Sequence, residues 1–510
     1  MQIEHALPAS VGVNPESLLN IIDFFDKCNC HSVMILRHDK IITQGWWKPY
    51  NPNYPHVLFS LSKSFLATAV CFAVQEGIIS FDDYVIKFFP EYFPSPPCEN
   101  MQKVRVKHLL MMSYGRKVEL DPDFYYLPNW LEENLHPYLY SEPGTQFSYD
   151  NRCAFLISAI LQKVTRQKTV DYLQSRLFEP LGIEKPDWEE KDGYNIGRGG
   201  LILKTEDIAK FGLFLIHKGK YNGKQLLRAN LVEEMTTLRI ETIDEPVQKR
   251  PNYNAGYGYF FWMCKPQKIF RGDGSCGQYL FVMPDQDIIV VTTAGTSLKN
   301  EAEPMMKSLF DNLVNSLDDS NLLNDTEKVN KYQKMLNEKL NSLSIPFIKS
   351  SMNIGFKLSQ LGENLNYSGI VYNICHNRPN IVKLSVVFGE MSDVLNLWAL
   401  GNSAEPSKNS PKEPVLLSLK VGHDEWIENN TNFEVDNFHP HSTILFSNVA
   451  CSSKWISKNE YAVKLVYTLT PYADTLRIEF SKNGINGEYL CNPYMANRGG
   501  TYQIMGLPET

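Results

Sequence analysis

No Cys-x-x-C pair occurs in this chain, and its ten cysteines (Cys28, Cys30, Cys71, Cys98, Cys153, Cys264, Cys276, Cys375, Cys451, Cys491) lie scattered, without the Cys/His spacing of a zinc site. They read as mostly buried thiols in a reducing compartment. Cys28-Asn29-Cys30 is the one close pair, and buried thiols fit it better than a redox or metal role. A basic excess is also missing: 50 Lys plus Arg stand against 57 Asp plus Glu, for a formal charge of −7, so no global field attracts phosphate backbones and no nucleic-acid partner is expected. The longest apolar runs, Phe65 to Val74 and Ile288 to Val291, fall far short of the ~20 residues that span a bilayer. The start, MQIEHALPAS, puts Glu4 where an export signal carries positive charge, and no apolar stretch follows. The expectation is a cytoplasmic protein without a membrane segment. Internal repeats and low-complexity tracts are absent as well.

What is present is an ordinary folded composition, 43% hydrophobic and 21% charged, over 510 residues. At roughly 100 to 200 residues per domain this length predicts two or three domains. Residues 32 to 47, SVMILRHDKIITQGWW, hold two β-rich runs separated by His38-Asp39-Lys40, which predicts a hairpin. From Ser60 the spacing of Phe65, Leu66, Ala69, Val70 and Ala73 becomes helical, with Gly77 as the stop. Residues from about 80 to 220 read as an all-helical subdomain. Strand signals return at 256 to 264, 278 to 283 and 287 to 294, and 301 to 317 suits a closing helix. Strands from both ends can then join one sheet packed on helices, giving a first domain over 1–318. Residues 319–345 predict a helical linker, and 346–510 a β-rich domain, an antiparallel barrel or sandwich.

The chemistry begins in FSLSKSF. Ser60-Leu61-Ser62-Lys63 is an S-x-x-K where a loop enters the buried helix. Three residues apart on a helix, Lys63 reaches the Ser60 hydroxyl, and the helix N-terminus favours developing negative charge. The alternative is an N-cap serine with a solvated lysine. A serine hydroxyl needs a neighbouring base to become a nucleophile. A partner appears in EPGTQFSYDN, which carries the single Tyr-x-Asn of the chain, Tyr149-Asp150-Asn151. In an extended loop Tyr149 and Asn151 would face the same way, towards Ser60. A tyrosine packed in a turn with its hydroxyl in water is the plainer reading of that element alone.

Taken together, FSLSKSF, KHLLMMSYG (107 to 115), EPGTQFSYDN, RLFEPLGI (176 to 183), GRGGLILKTEDIAKFG (197 to 212) and CGQYLFVMPDQDIIVV (276 to 291) resemble the serine beta-lactamase-like hydrolases over about residues 10–315. That group holds class C beta-lactamases, DD-carboxypeptidases, D-aminopeptidases and esterases. The resemblance implies an α+β fold, an α/β sandwich in which a five-stranded antiparallel sheet flanked by helices and an all-helical subdomain enclose a cleft. It implies Ser60 as the acylated nucleophile, Lys63 as the group lowering its proton affinity, and Tyr149 as general base, with the residue that finally takes the proton left open. Asn151 would hold the substrate amide or ester oxygen, and the backbone N–H groups of Ser60 and Gln278 would form the oxyanion hole. No cofactor and no metal are implied.

The third motif of that group, Lys-Thr-Gly or His-x-Gly, would fall on Ser275-Cys276-Gly277. Ser275 offers a neutral hydroxyl where a cation commonly meets a substrate carboxylate, which makes beta-lactams poorer candidates. Arg271 could supply charge, although an exposed strand arginine is the commoner outcome. His108 reads as structural, and Asp207 as a helix-start carboxylate. His439 and His441 read as a surface loop, and Trp46, Trp47, Trp130 and Trp262 as core or cleft lining. The expected partner is a small ester or amide, cleaved through an acyl-enzyme. The alternatives are a peptidase of D-amino-acid or cell-wall peptides, a beta-lactamase, or a binding protein that kept the fold without turnover.

Overall fold

The structure, a computed structural model, describes residues 3–116, 129–242, 253–265, 268–296, 302–314, 317, 324–346, 364–375, 381–400, 414–431, 448–492 and 500–509. They form two compact units, one of 1–46, 55–294 and 298–343, the other of 47–54, 295–297 and 344–510. His439 and His441 lie outside the described residues. Among the described residues no helix is long and apolar enough to cross a membrane.

The first unit is built on a six-stranded antiparallel sheet, one strand more than expected. Its strands are β1 (Cys30–Arg37), β2 (Lys40–Trp46), β3 (Trp262–Met263), β4 (Phe270–Gly274), β5 (Gln278–Met283) and β6 (Ile288–Ala294), in the order β2-β1-β6-β5-β4-β3. The extra strand is the two-residue β3, paired with β4 at Met263↔Phe270 and Trp262↔Arg271. The hairpin expected at 32 to 47 is β1–β2. Its loop residues His38 and Asp39 sit at φ 51° and 63°, the paired left-handed geometry that matches strand twist. Strands β5 and β6 are buried along their whole length, as interior strands with near-continuous apolar sequence should be.

Helices close both sides. On α1 (Pro15–Phe25), the Asn14 side chain accepts from Glu16 N at the N-terminus. Helix α2 (Ser62–Gln75) is buried almost all round and stops before Gly77, at φ 71°. Helix α3 (Asn151–Thr165) starts from the Asp150 cap, and α4 (Thr205–Ile216) lies on β5 and β6. That contact is close enough that a Cβ on Gly212 would stand 2.7 Å from Ile289, so the glycine is required there. The region 80 to 220 is mainly helical but not wholly so. Short strand pairs join Glu190–Lys191 to Tyr194–Asn195 and Lys220–Tyr221 to Lys224–Gln225, where Asp192, Gly193, Asn222 and Gly223 take positive φ and turn the chain. Helix α5 (Ala302–Asn312) follows the sheet, and α6 (Thr326–Asn341) forms within the stretch read as a linker. Helix α6 packs on α1, and its Lys339 pairs with Asp23 and Asp26.

The second unit is a barrel. Its strands are β7 (Tyr372–Ile374), β8 (Ile381–Val387), β9 (Ser392–Ala399), β10 (Val415–His423), β11 (Ile427–Asn430), β12 (Asn448–Trp455), β13 (Glu460–Tyr467), β14 (Ala473–Ser481), β15 (Gly484–Asn492) and β16 (Gly500–Pro508). They run β10-β9-β8-β7-β16-β15-β14-β13-β12-β11, antiparallel throughout, and a parallel pairing of β10 with β12 closes nine of them into a ring. At that closure Asp393 of β9 is buried beside His423, Ser453 and Tyr461.

Candidate active site

The nucleophile candidate stands at a strained entry. A 3-10 turn over Phe59–Leu61 precedes α2, so the α-helix begins at Ser62 rather than at Ser60. Phe59 takes φ 46°, which costs a bulky residue about 1–3 kcal/mol and turns Ser60 out of the helix line. The loop 196–201 braces this entry: Leu58 N donates to Leu201 O at 2.9 Å, and Leu201 N to Ser62 Oγ at 3.1 Å. On the other side β4 presses against it, since a Cβ on Gly274 would stand 2.1 Å from Leu58 O.

Lys63 is buried, at 1% exposure, with its Nζ 2.8 Å from Ser60 Oγ and 2.7 Å from the Arg198 carbonyl oxygen. Burial, and then the Arg198 charge, push its proton affinity well below that of an ordinary lysine. Its Nζ also lies 5.0 Å from the centre of the Tyr149 ring. The structure therefore gathers Ser60, Lys63 and Tyr149, which the sequence separates by almost ninety positions.

The loop carrying Tyr149 is held by the KHLLMMSYG segment. Gly144 N donates to Ser113 O, and Ser148 N donates to Met112 O, each at 2.8 Å. His108 is part of this brace: its ring packs on Gly144 and its Nδ1 accepts from Arg105 N, and burial lowers its pKa to about 4. Asp150 caps α3 and pairs with Arg116 at 3.3 Å, while burial raises its carboxyl above the usual range. Asn151 is already the first residue of α3, and the Asp150 cap between it and Tyr149 is extended, at φ −123° and ψ 114°. Among the described residues its amide makes no hydrogen bond to Ser60 or Lys63.

Ser275, Cys276 and Gly277 form the turn from β4 to β5, with Cys276 and Gly277 at positive φ. The Gln278 amide is engaged there: Nε2 donates to Ser275 O and Ala294 O, and Oε1 accepts from Ala294 N. Thr292 Oγ1 donates to Gly277 O. These side chains tie the turn to β6. Arg271, in contrast, is not the exposed strand arginine expected from the sequence. It is 0% exposed, with Nε donating to Asp273 at 2.9 Å, because β3 and the aromatic side chains of Tyr253 and Trp262 cover it. Asp207 does stand at the start of α4, with Lys210 at 3.4 Å.

Two contacts escaped the sequence reading. Arg198 sits inside the quoted GRGGL motif, but nothing in that motif says that its carbonyl meets Lys63. Trp262 was recognised as cleft or core; the structure stacks it on Tyr149, ring centres 5.7 Å apart and planes within 16°. Phe147 and Tyr257 pack edge-on or tilted around the same pair.

With this geometry in view, comparison with known proteins is decisive for the family. The profile of the Beta-lactamase family matches residues 21–308, more than half of the chain. The chain belongs to that family. An uncharacterized Alkalihalophilus pseudofirmus protein is 23% identical over 307 residues, 55% of this chain and 87% of its own. The 6-aminohexanoate-dimer hydrolase of Paenarthrobacter ureafaciens is 22% identical over 283 residues, 51% of this chain and 70% of its own. A solved Bacillus anthracis structure classed with the 6-aminohexanoate-dimer hydrolases has a TM-score of 0.50 at 19% identity, covering 61% of this chain and 86% of its own. The family match ends at residue 308, before the strands of the closed barrel begin at Tyr372.

Proposed function

We propose that the chain is a serine hydrolase that cleaves a small ester through an acyl-enzyme at Ser60. The observation that carries this reading is the contact between Ser60 Oγ and the buried Lys63 amine, whose proton affinity burial lowers, 2.8 Å apart, beside the Tyr149 ring. In the proposed cycle Lys63 accepts the hydroxyl proton as Ser60 Oγ bonds to the carbonyl carbon. The tetrahedral adduct collapses as the bond to the leaving oxygen breaks, and the proton passes through the Tyr149 phenol to that oxygen. Water then attacks the acyl carbon, gives its proton to the same pair, and releases the acid and Ser60. Backbone N–H groups at Ser60 and at the 275–278 turn would receive the oxyanion, each worth about 3 kcal/mol of barrier.

An ester is preferred over a beta-lactam or peptide C-terminus because Ser275 gives a substrate carboxylate no cation, and Arg271 is committed to Asp273. A small amide is the second reading, favoured by the likeness to a 6-aminohexanoate-dimer hydrolase over 70% of that enzyme's length. The test is intact mass after incubation with a fluorophosphonate, beside turnover of p-nitrophenyl acyl esters and of a matched amide. One adduct and measurable turnover, both lost in Ser60→Ala, are expected. A folded wild type with neither would end the hydrolase reading and favour a binding protein.

A further inference from the structure

The acyl-enzyme cycle asks two things of Tyr149: that its ring stay beside the Lys63 amine and that its hydroxyl keep one direction. The ring is borne on a loop, and its stacking partner Trp262 belongs to a strand of two residues. Neither element is long enough to fix an indole plane by backbone pairing alone. What lies behind Trp262 is Arg271. Its guanidinium carbon stands 5.6 Å from the Trp262 ring centre and 4.5 Å from that of Tyr253, and those two rings meet edge-on at 4.9 Å. The guanidinium is itself immobilised. Nε donates to Asp273, and Nη1 donates to the Met263 carbonyl at 3.4 Å and lies 3.1 Å from Cys264 Sγ.

We infer that Arg271 is a positioning residue for Tyr149, acting through Trp262. A fully buried guanidinium carries a desolvation penalty that an apolar side chain on β4 would avoid, so the pair with Asp273 is a weak stabilising device. A planar cation does offer what an apolar side chain cannot: it holds aromatic faces in a set orientation through cation–π contact, and its fork is fixed by hydrogen bonds on the other side. The order of contacts is then Asp273, Arg271, Trp262, Tyr149, Lys63, running from β4 to the amine beside Ser60. Because a displacement of ~1 Å in a reacting group can cost ~100-fold in rate, this chain of contacts bears directly on turnover. It also gives β3 a role, as the element that presents Trp262 to both partners.

This inference rests on the acyl-enzyme reading, and its test separates the two. Active sites of the full chain are counted with a fluorophosphonate, and p-nitrophenyl ester turnover is expressed per titrated site, so that misfolded molecules drop out. Arg271→Gln/Asp273→Asn removes both charges together and leaves no unpaired carboxylate; Trp262→Ala breaks the same link without touching the ion pair. Both are expected to lower kcat per site about tenfold or more with KM within about threefold, and Arg271→Lys to fall between them and wild type. A purely structural role would lower the number of titratable sites and leave kcat per site alone. Turnover per site within about twofold of wild type in both variants, with a wild type that labels normally, overturns this inference by itself. A wild type that takes up no probe overturns the acyl-enzyme reading, and this inference with it.

Discussion

Lys63 in the first unit and Asp393 in the second are both about 1% exposed, and the two units treat them in opposite ways. Asp393 is surrounded by donors: His423 Nε2 at 3.0 Å and Gly389 N at 3.2 Å on one oxygen, Ser453 at 3.3 Å and Tyr461 on the other. Those donors come from β10, β12 and β13 as well as its own hairpin, so the carboxylate fastens the strands where the barrel closes. Asp474 is held in the same manner by Tyr467 and Tyr489. Lys63 meets a hydroxyl, a carbonyl and an aromatic ring, and among the described residues no carboxylate lies within ion-pair distance. A buried charge given enough partners is a structural pin, while burial of an amine with few partners lowers its proton affinity, which suits the base role proposed for Lys63.

The sharpest way to break this comparison is to exchange each group for an apolar one. Lys63→Met should lower kcat/KM by about a thousandfold and leave the thermal midpoint equal or higher, because removing an uncompensated amine relieves desolvation. A large loss of stability would instead make Lys63 a pin. Asp393→Ala should do the reverse, costing about 3 kcal/mol in denaturant titration of the full chain, since three side chains lose their acceptor. Turnover per titrated site on a small ester should be unchanged.

Two smaller effects sharpen the contrast. Arg198 lowers the proton affinity of Lys63, so Arg198→Met should raise it and move the acidic limb of kcat/KM to higher pH. A limb that stays in place would remove Arg198 from the electrostatics. In the barrel, the hydrogen bond to Asp393 raises the His423 pKa above 6.5. That contribution is complete below the ordinary histidine value and fades as pH rises through the raised one. The difference in thermal midpoint between wild type and His423→Gln should therefore shrink from pH 6 upward, by the least of the four effects.

Much of this was legible before the structure. Ser60 and Lys63 are neighbours along the chain, and local geometry brings them together even though the α-helix starts two residues late. The β1–β2 hairpin and the interior strands β5 and β6 follow from apolar runs and turn residues. Long-range covering was not legible. Arg271 looked like a surface residue because the sequence does not announce β3, a strand of two residues, or the rings that close over it. The start of α3 at Asn151, directly after the extended Asp150 cap, was not read from the sequence either. Within 319–345 the described helix covers Thr326–Asn341, and nothing local told that α6 docks on α1 through Lys339.

In the proposed cycle the buried Lys63 amine takes the proton from Ser60. The most direct test is the pH dependence of the second-order rate at which a fluorophosphonate phosphonylates Ser60, with loss of fluoride, in wild type and in Lys63→Met. The rate should rise along one limb whose midpoint lies well below the ordinary lysine value of 10.5, and that limb should vanish with Lys63. A midpoint at the ordinary lysine value, or a limb that survives Lys63→Met, would contradict it.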